Sequence, residues 1–195
     1  MKGKLLVILV SMLFITIVLP INSLAGDEEN PEIKDVLGDV KGLFAKYLPL
    51  RLIQRIDINY SWFYESTDDP GNLRITGKLD NVVSSLFFKS FYSVYWIYNG
   101  HRYVVTMVTR WHNVDCYVED LETGESHMAI PLHDGDSDIF GFIINKDLIG
   151  NPGPGDTLID PWASAKIGFG NGLIFNLAND RAPDIGYGLD YTIQY

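Results

Sequence analysis

The chain has 195 residues, of which 15 are basic and 25 are acidic, and its formal net charge at pH 7 is −10. This acidity argues against nucleic-acid binding, because a polyanion needs a basic surface. A composition that is 47% hydrophobic and 13% aromatic excludes a disordered chain. A single cysteine excludes a disulfide-stapled scaffold, and the length fits one domain.

The first 25 residues have the pattern of a secretory signal peptide. Its parts are Lys2 and Lys4, an apolar run from Leu5 to Leu19, Pro20, and the small-residue cleavage motif Ser23-Leu24-Ala25. The alternative is an uncleaved membrane anchor, but the run is shorter than the ~20 residues that span a bilayer. We therefore predict a secreted chain that begins near Gly26, with membrane association only if the leader is retained. The leader contains two lysines and no acidic residue, so the mature net charge is −12.

The segment between Pro31 and Leu48 has apolar residues at helical spacing and predicts an amphipathic helix. Gly38 and Gly42 oppose this helix by about 1 kcal/mol each relative to alanine. An irregular or strand-like start of the domain is the alternative.

From Arg55 onward the hydrophobic pattern changes to a period of two, which is typical of β-strands. Asn99-Gly100 is the strongest of several hairpin-turn signals. The predicted strands cover residues 56–65, 73–79, 90–98, 101–111, 114–120, 126–132, 139–145, 162–169 and 173–179. Eight or nine short strands predict a mainly β domain, an antiparallel β-sandwich or barrel. We assign residues 26–30 to a linker and residues 31–195 to this one domain.

The first predicted strand contains the N-glycosylation sequon Asn59-Tyr60-Ser61. Alternation places Asn59 on the polar face of the strand, opposite Tyr60, Trp62 and Tyr64. Asn59 is therefore a candidate glycosylation site.

Three stretches of the chain resemble DOMON-like domains and family-nine carbohydrate-binding modules. They are Asp57-Ile58 with Trp62-Phe63-Tyr64-Glu65, the stretch from Ile139 to Leu158, and the tail Asp180-Arg181-Ala182-Pro183-Asp184-Ile185-Gly186-Tyr187-Gly188-Leu189-Asp190-Tyr191. The tail is also similar to the closing motif of uncharacterised secreted archaeal proteins of this type. The resemblance implies a β-sandwich whose relatives bind sugars or haem, or dock onto partner domains. Fold alone does not choose among these functions.

Aromatic residues crowd the strands over 90–98 and 101–111. The candidate ligand-binding residues are Tyr92, Trp96 and Tyr98 on the first strand, beside Tyr95, and Tyr103 and Trp111 on the second. Both faces of the first strand are apolar, which places it centrally in a sheet with one face in the core. The other face is a candidate platform for sugar rings, whose C–H faces stack on indole and phenol. The alternative is that the helix or a second layer covers this face.

Two acidic groups are candidate cation sites. The first group is Asp134, Asp136 and Asp138, on a glycine-containing loop whose carboxylates could hold Ca²⁺; the alternative is a solvated hairpin turn. The second group is Asp180, Asp184 and Asp190, around Arg181 in the tail. This second pattern favours a strap that closes the sandwich edge, with Arg181 forked onto a carboxylate, over a metal site.

Signatures of catalysis are absent from the sequence. It contains no nucleophile elbow, and its histidines lack zinc-site spacing. Cys116 alternates with valines, which predicts a buried, inert thiol. Haem would need a pair such as Met107 or Met128 with His101 or His112, and no signature selects one. We predict a non-enzymatic protein with no cofactor, apart from Ca²⁺ at the acidic loop.

These observations favour a secreted, non-catalytic β-sandwich module that binds carbohydrate or a cell-surface glycan. The alternative is an extracellular structural or adhesion component, stabilised by Ca²⁺, that docks on an envelope protein. A haem-binding redox domain is the third hypothesis.

Overall fold

A computed structural model describes residues 26–80, 88–110, 113–133, 138–169 and 175–195. Within these ranges the chain forms two antiparallel sheets that pack face to face, which confirms the predicted β-sandwich. No helix in the described ranges has both the length and the apolar character needed to cross a membrane.

The strands follow the predicted hairpins closely. They are β1 (Ile33–Lys34), β2 (Ile58–Ser66), β3 (Asp69–Leu79), β4 (Lys89–Tyr98), β5 (His101–Arg110), β6 (Asn113–Asp120), β7 (Ser126–Met128), β8 (Ile130–His133), β9 (Ile139–Asn145), β10 (Thr157–Phe169), β11 (Phe175–Ala182) and β12 (Tyr191–Thr192). The first sheet has the order β1-β2-β3-β9-β8, and the second sheet has the order β11-β10-β4-β5-β6-β7. Strand β12 pairs with the start of β10. A 3₁₀ turn over Lys146–Ile149 follows β9.

Aromatic contacts between the sheets form the centre of the core. Trp96 of β4 packs edge-to-face on Phe63 of β2, with 6.1 Å between ring centroids. Tyr92 of β4 stacks on Phe140 of β9 at 5.0 Å. The inward face of β4 is therefore committed to holding the two sheets together.

The amphipathic helix predicted between Pro31 and Leu48 is not formed. The segment begins as β1, continues without regular structure, and makes only a 3₁₀ turn over Ala45–Tyr47 before the short helix α1 (Leu50–Gln54). Gly38 and Gly42 have φ angles of +89° and +146°, which an α-helix does not accommodate. The helical spacing was misleading because these two glycines turn the chain along the sandwich edge.

A bulge at Asn59 sets the side-chain directions in β2. The pairing with β3 shifts by one residue just before Tyr60, and one extra residue reverses the faces of all that follow. Phe63 and Glu65 therefore point inward, and Trp62 is half-exposed. This is the reverse of the predicted alternation beyond the bulge.

The predicted strand over residues 126–132 divides at Ala129. Before this residue, β7 pairs with β6 in the second sheet, and after it β8 pairs with β9 in the first sheet. The Ala129 N–H donates to the carbonyl of Cys116 at 3.1 Å. The chain thus crosses from one sheet to the other within a single extended segment.

A buried ion pair anchors the C-terminal segment. Lys146 pairs with Glu65, and both side chains are almost fully buried. The other oxygen of Glu65 accepts hydrogen bonds from the Tyr191 hydroxyl at 3.1 Å and from the backbone N–H of Gln194 at 2.6 Å. This network explains how a carboxylate is tolerated on the inward face of β2.

Candidate functional site

The predicted aromatic residues divide between the core and the surface. Tyr92, Trp96 and Tyr103 are only 2%, 1% and 5% exposed, so their rings belong to the core and do not form an open platform. Tyr98 is half-buried, and its hydroxyl donates to Asp156 at 2.8 Å. Trp111 lies outside the described residues. The prediction that these rings form an exposed platform is wrong for Tyr92, Trp96 and Tyr103. The aromatic composition identified the strands, but these three rings lie on the face that packs in the core.

The outward face of the second sheet carries a different set of stacked side chains. Tyr95 of β4 lies opposite Trp162 of β10 in register. Their rings are parallel within 1°, with centroids 3.8 Å apart. On the other side of Trp162, the Arg181 guanidinium lies 4.8 Å from the indole centroid. We call Arg181, Trp162 and Tyr95 the aromatic ladder; it crosses β11, β10 and β4.

A bulge in β10 aims Trp162 at this outer face. Ile159 pairs with Ile97, whereas Trp162 pairs with Tyr95, so β10 contains one residue more than β4 over this stretch. Asp160, within the bulge, has a φ of +54°. A non-glycine residue in this left-handed region is uncommon. Sequence reasoning missed Trp162 because alternation alone cannot anticipate the extra residue.

A cleft lies on each side of the aromatic ladder. The first cleft, of about 290 Å³, is lined beyond the ladder by Ile97, Arg102, Leu121, Asp160 and Tyr187, and also by the largely buried Trp96 and Tyr103. The second cleft, of about 280 Å³, is lined by Phe91, Ser93, Thr106, Tyr117 and Lys166, among others. The ladder is therefore a ridge between two shallow depressions on one sheet face.

The polar groups of these clefts are held in place by local bonds. Arg102 donates to Glu122 at 2.7 Å, and the hydroxyls of Ser93 and Thr106 are 2.9 Å apart in the floor of the second cleft. Arg181 donates to the carbonyls of Pro183 and Gly186. Both faces of the Trp162 indole are covered, so the ladder presents ring edges outward.

The alternative hypothesis, that the N-terminal helix or a second layer covers the outward face of β4, is not observed among the described residues. Both clefts are lined by side chains from the second sheet, the residue after β6 and the tail, with none from residues 26–80. Tyr187, in the tail, is 56% exposed beside the first cleft. The described part of the chain thus leaves this sheet face accessible.

The tail is a strap, but within the part of the chain that the structure describes Arg181 forms no ion pair with a carboxylate, contrary to the prediction. Arg181 donates to carbonyl oxygens instead, because the tail folds back over it. Asp184 forms an ion pair with Lys41, and Asp190 accepts a hydrogen bond from the Asp160 N–H at 3.1 Å. The two aspartates therefore fasten the strap to different parts of the sandwich.

The predicted acidic-loop and glycosylation residues are placed only in part. Asp134 and Asp136 lie outside the described residues, and Asp138 begins the approach to β9, where its carbonyl accepts from Leu79 N–H at 2.9 Å. Asn59 occupies the bulge in β2, half-buried. Calcium binding at the loop and glycosylation at Asn59 stay predictions.

Two further sequence hypotheses concern sulfur and imidazole groups. Cys116 is buried as predicted, and desolvation raises the pKa of its thiol to about 12. Met107 is buried in the core, whereas His101 is bonded to Asp120 at 2.8 Å. These two haem-ligand candidates are six positions apart on β5, roughly 20 Å at the usual rise per residue, which is too far for one iron.

No known protein-family model matches the chain, and a search of the curated proteins finds no match.

Proposed function

We propose that this protein is a secreted, non-catalytic module whose second sheet binds carbohydrate on its outer face. The observation that carries the proposal is the first cleft, which combines aromatic walls with charged hydrogen-bonding groups on an accessible sheet face. A sugar has an apolar C–H face and a rim of hydroxyls, so its recognition requires both kinds of group.

The cleft supports distinct roles for its side chains. The exposed ring of Tyr187 is the available stacking surface, because both faces of Trp162 are already covered. Arg102 and Asp160 provide a donor and an acceptor for sugar hydroxyls. A volume of about 290 Å³ is at the lower end of small-molecule sites and suits one sugar ring or the end of a glycan.

The carboxylate content of the cleft favours binding over hydrolysis. Glycoside hydrolysis by the common mechanisms uses two carboxyl groups that flank the scissile bond. Among the described residues that line the first cleft, Asp160 supplies the one carboxylate. The proposed function is therefore recognition without bond cleavage.

Glycan-array binding tests the proposal with three single variants. Tyr187→Ala should weaken binding at least tenfold without affecting stability, because its side chain is exposed. Trp162→Ala should also weaken binding, since the ladder forms the wall of the cleft. Trp62→Ala, a half-exposed tryptophan on the first sheet, is the matched control and should bind like the parent. Absence of any glycan ligand, or an equal loss in all three variants, would refute the proposal.

Export and cleavage after Ala25 are part of this proposal, and the leader pattern supports them. Gly26 lies against Glu32: a Cβ added at Gly26 would be 2.2 Å from Glu32 Oε1. The backbone nitrogen is about 2.5 Å from that Cβ position, so an amino group freed at Gly26 would lie within roughly 5 Å of the carboxylate. Mass spectrometry of exported protein should find Gly26 at the N-terminus; intact Met1 in a membrane fraction would contradict it.

A second candidate function is docking on an envelope protein, and one specific surface favours it. Val36, Leu43, Tyr47 and Leu50, in the N-terminal segment, are between 69% and 78% exposed. Exposed apolar side chains concentrated in one segment are typical of interaction surfaces. Leu43→Asp should abolish cross-linking to such a partner and leave glycan binding intact, whereas Tyr187→Ala should have the opposite effect.

A further inference from the structure

Five aspartates from distant parts of the sequence converge at one edge of the sandwich. Asp35 and Asp39 follow β1, Asp57 precedes β2, Asp180 lies in β11, and Asp184 lies in the tail. Carboxylate oxygens of Asp39, Asp57 and Asp180 all lie within 4.8 Å of one another. Asp35, Asp39 and Asp184 form a second triad with the same spacing. We call the first group the inner triad and the second group the outer triad. Asp39 is common to both triads.

Backbone amides hold two members of the inner triad, Asp57 and Asp180, in position. Asp57 accepts a hydrogen bond from the Gly38 N–H at 2.7 Å, and Asp180 accepts one from the Ile58 N–H at 2.8 Å. Each of these bonds engages one oxygen and fixes the orientation of its carboxylate. Two of the three carboxylates are therefore held in place by backbone groups in the absence of a ligand.

The lysine at this edge, Lys41, binds a member of the outer triad. Lys41 forms its ion pair with Asp184. Among the described residues, no lysine or arginine forms an ion pair with Asp39, Asp57 or Asp180. Among the described residues, the ion pair of this cluster is therefore made at its edge, on Asp184.

The inner triad contains buried carboxylate oxygens that have no hydrogen-bond donor. Asp57 is only 2% exposed, yet its Oδ1 has no hydrogen-bond donor. Both oxygens of Asp39 also lack a donor. Buried carboxylate oxygens are costly unless a donor or a cation compensates them, and Asp39, Asp57 and Asp180 each place a carboxylate oxygen within 4.8 Å of the others.

We propose that Asp39, Asp57 and Asp180 bind a divalent cation, Ca²⁺, with Asp35 and Asp184 completing its acidic surroundings. Ca²⁺ takes six to eight oxygen ligands in flexible geometry, which matches a site of several carboxylates from three segments. Mg²⁺ demands a tighter octahedron and usually retains water on one or two carboxylates. This site is distinct from the acidic loop at residues 134–138 and independent of the proposed glycan cleft.

The proton affinities of the cluster agree with this arrangement. Burial, followed by neighbouring carboxylates, raises the pKa of Asp180 to about 7. Burial and the adjacent Asp184 raise the pKa of Asp39 to about 6.

The bound ion would connect three parts of the fold. Asp57 belongs to the approach to β2 in the first sheet, Asp180 belongs to β11 in the second sheet, and Asp39 belongs to the N-terminal segment. That segment is otherwise joined to β11 by reciprocal backbone bonds between Lys41 and Asn179, at 2.8 and 2.7 Å. Calcium would therefore act as a cross-link between the sheets and the N-terminal segment.

Thermal unfolding at pH 8, after removal of divalent cations with a chelator, tests the proposal. Ca²⁺ at a hundredfold excess over its Kd should raise the Tm of the parent by roughly 5–10 °C, and Mg²⁺ at matched ionic strength should raise it much less. Asp57→Asn should lose most of this increment while its chelated Tm stays equal to, or above, that of the parent. Asp39→Asn, on a partly exposed residue, gives the same test with less risk to folding.

Two controls locate the effect. Asp68→Asn removes an exposed turn carboxylate and should retain the full Ca²⁺ increment. Asp136→Asn removes a carboxylate of the acidic loop and should retain it as well. Isothermal titration with CaCl₂ should show this site with the same affinity in the parent and in both controls, and at least tenfold weaker binding to it in Asp39→Asn. An equal response to Ca²⁺ and Mg²⁺, or loss of the increment in Asp136→Asn alone, would overturn the proposal.

Discussion

The carboxylate of Asp180 in β11 accepts a hydrogen bond from the backbone N–H of Ile58 in β2 at 2.8 Å. The two residues belong to different sheets, so this bond joins the layers through a backbone group. It also satisfies an N–H that is next to the bulge at Asn59, where the regular ladder is interrupted.

Two substitutions of Asp180 should distinguish the contribution of its hydrogen bond to stability from the contribution of its charge. Asp180→Ala leaves the buried Ile58 N–H without an acceptor and should lower the free energy of unfolding by about 1–3 kcal/mol. Asp180→Asn keeps an acceptor oxygen and removes a repelling charge, so it should cost less in chelated buffer. Urea unfolding at pH 8 measures both; equal losses would show that the Ile58 bond is unimportant.

Removal of one member of the Lys146–Glu65 pair should be strongly destabilising. Lys146→Met leaves the Glu65 carboxylate buried and uncompensated, with an expected loss of about 3–5 kcal/mol in the free energy of unfolding. The double variant Lys146→Met/Glu65→Gln should recover at least half of that loss, because the amide still accepts from Tyr191. A double-mutant cycle measures the coupling, and no recovery in the double variant would contradict this account.

Glu32 should make stability depend on pH. Burial, partly opposed by its bond from the Phe63 N–H, raises the pKa of Glu32 from 4.5 to about 7. The folded state therefore holds this proton more tightly than the unfolded chain. The contribution is fully present below pH 4.5 and is lost as pH rises through 7.

The measurement is the difference in unfolding free energy between the parent and Glu32→Gln at pH 4.5 and pH 8. A chain extended by Ala25 should lose stability relative to Glu32→Gln as pH rises. A chain that begins at Gly26 should lose less, because its ammonium favours the charged carboxylate. The same pH dependence in both chains would argue against contact between this amino group and Glu32.

Gly77 should not tolerate a side chain. A Cβ at Gly77 in β3 would lie 2.1 Å from the Phe140 ring, which is directly opposite in β9 and stacks on Tyr92. Because this ring is confined by the core, Gly77→Ala should cost about 1–3 kcal/mol. Gly71→Ala, where a Cβ meets open space, is the control and should change stability by less than about 0.5 kcal/mol. Similar effects at both glycines would contradict the packing argument.

The hairpins could be predicted from sequence because their determinants are local. Asn99-Gly100 joins β4 and β5 in the expected register, with Tyr98 opposite His101. The faces of β2 could not be predicted beyond Asn59, since a bulge has no reliable local signature and reverses every later side chain.

The candidate sites were harder to predict because they depend on a bulge and on contacts between residues distant in the sequence. Trp162 reaches the outer face through the bulge in β10. The inner acidic triad joins residues that are up to 141 positions apart, Asp39 and Asp180. Proximity of this kind is a product of sheet topology, so spacing along the chain carries no sign of it.

The crossover at Ala129 has a mechanical consequence. Strand β7 forms the outer edge of the second sheet, and β8 forms the outer edge of the first. The same short segment therefore supplies an edge strand to each of the two sheets and ties these edges together. The two sheets cannot separate on this side unless the ladders β6–β7 and β8–β9 open together. The amide hydrogens of both ladders should therefore exchange with solvent as one unit.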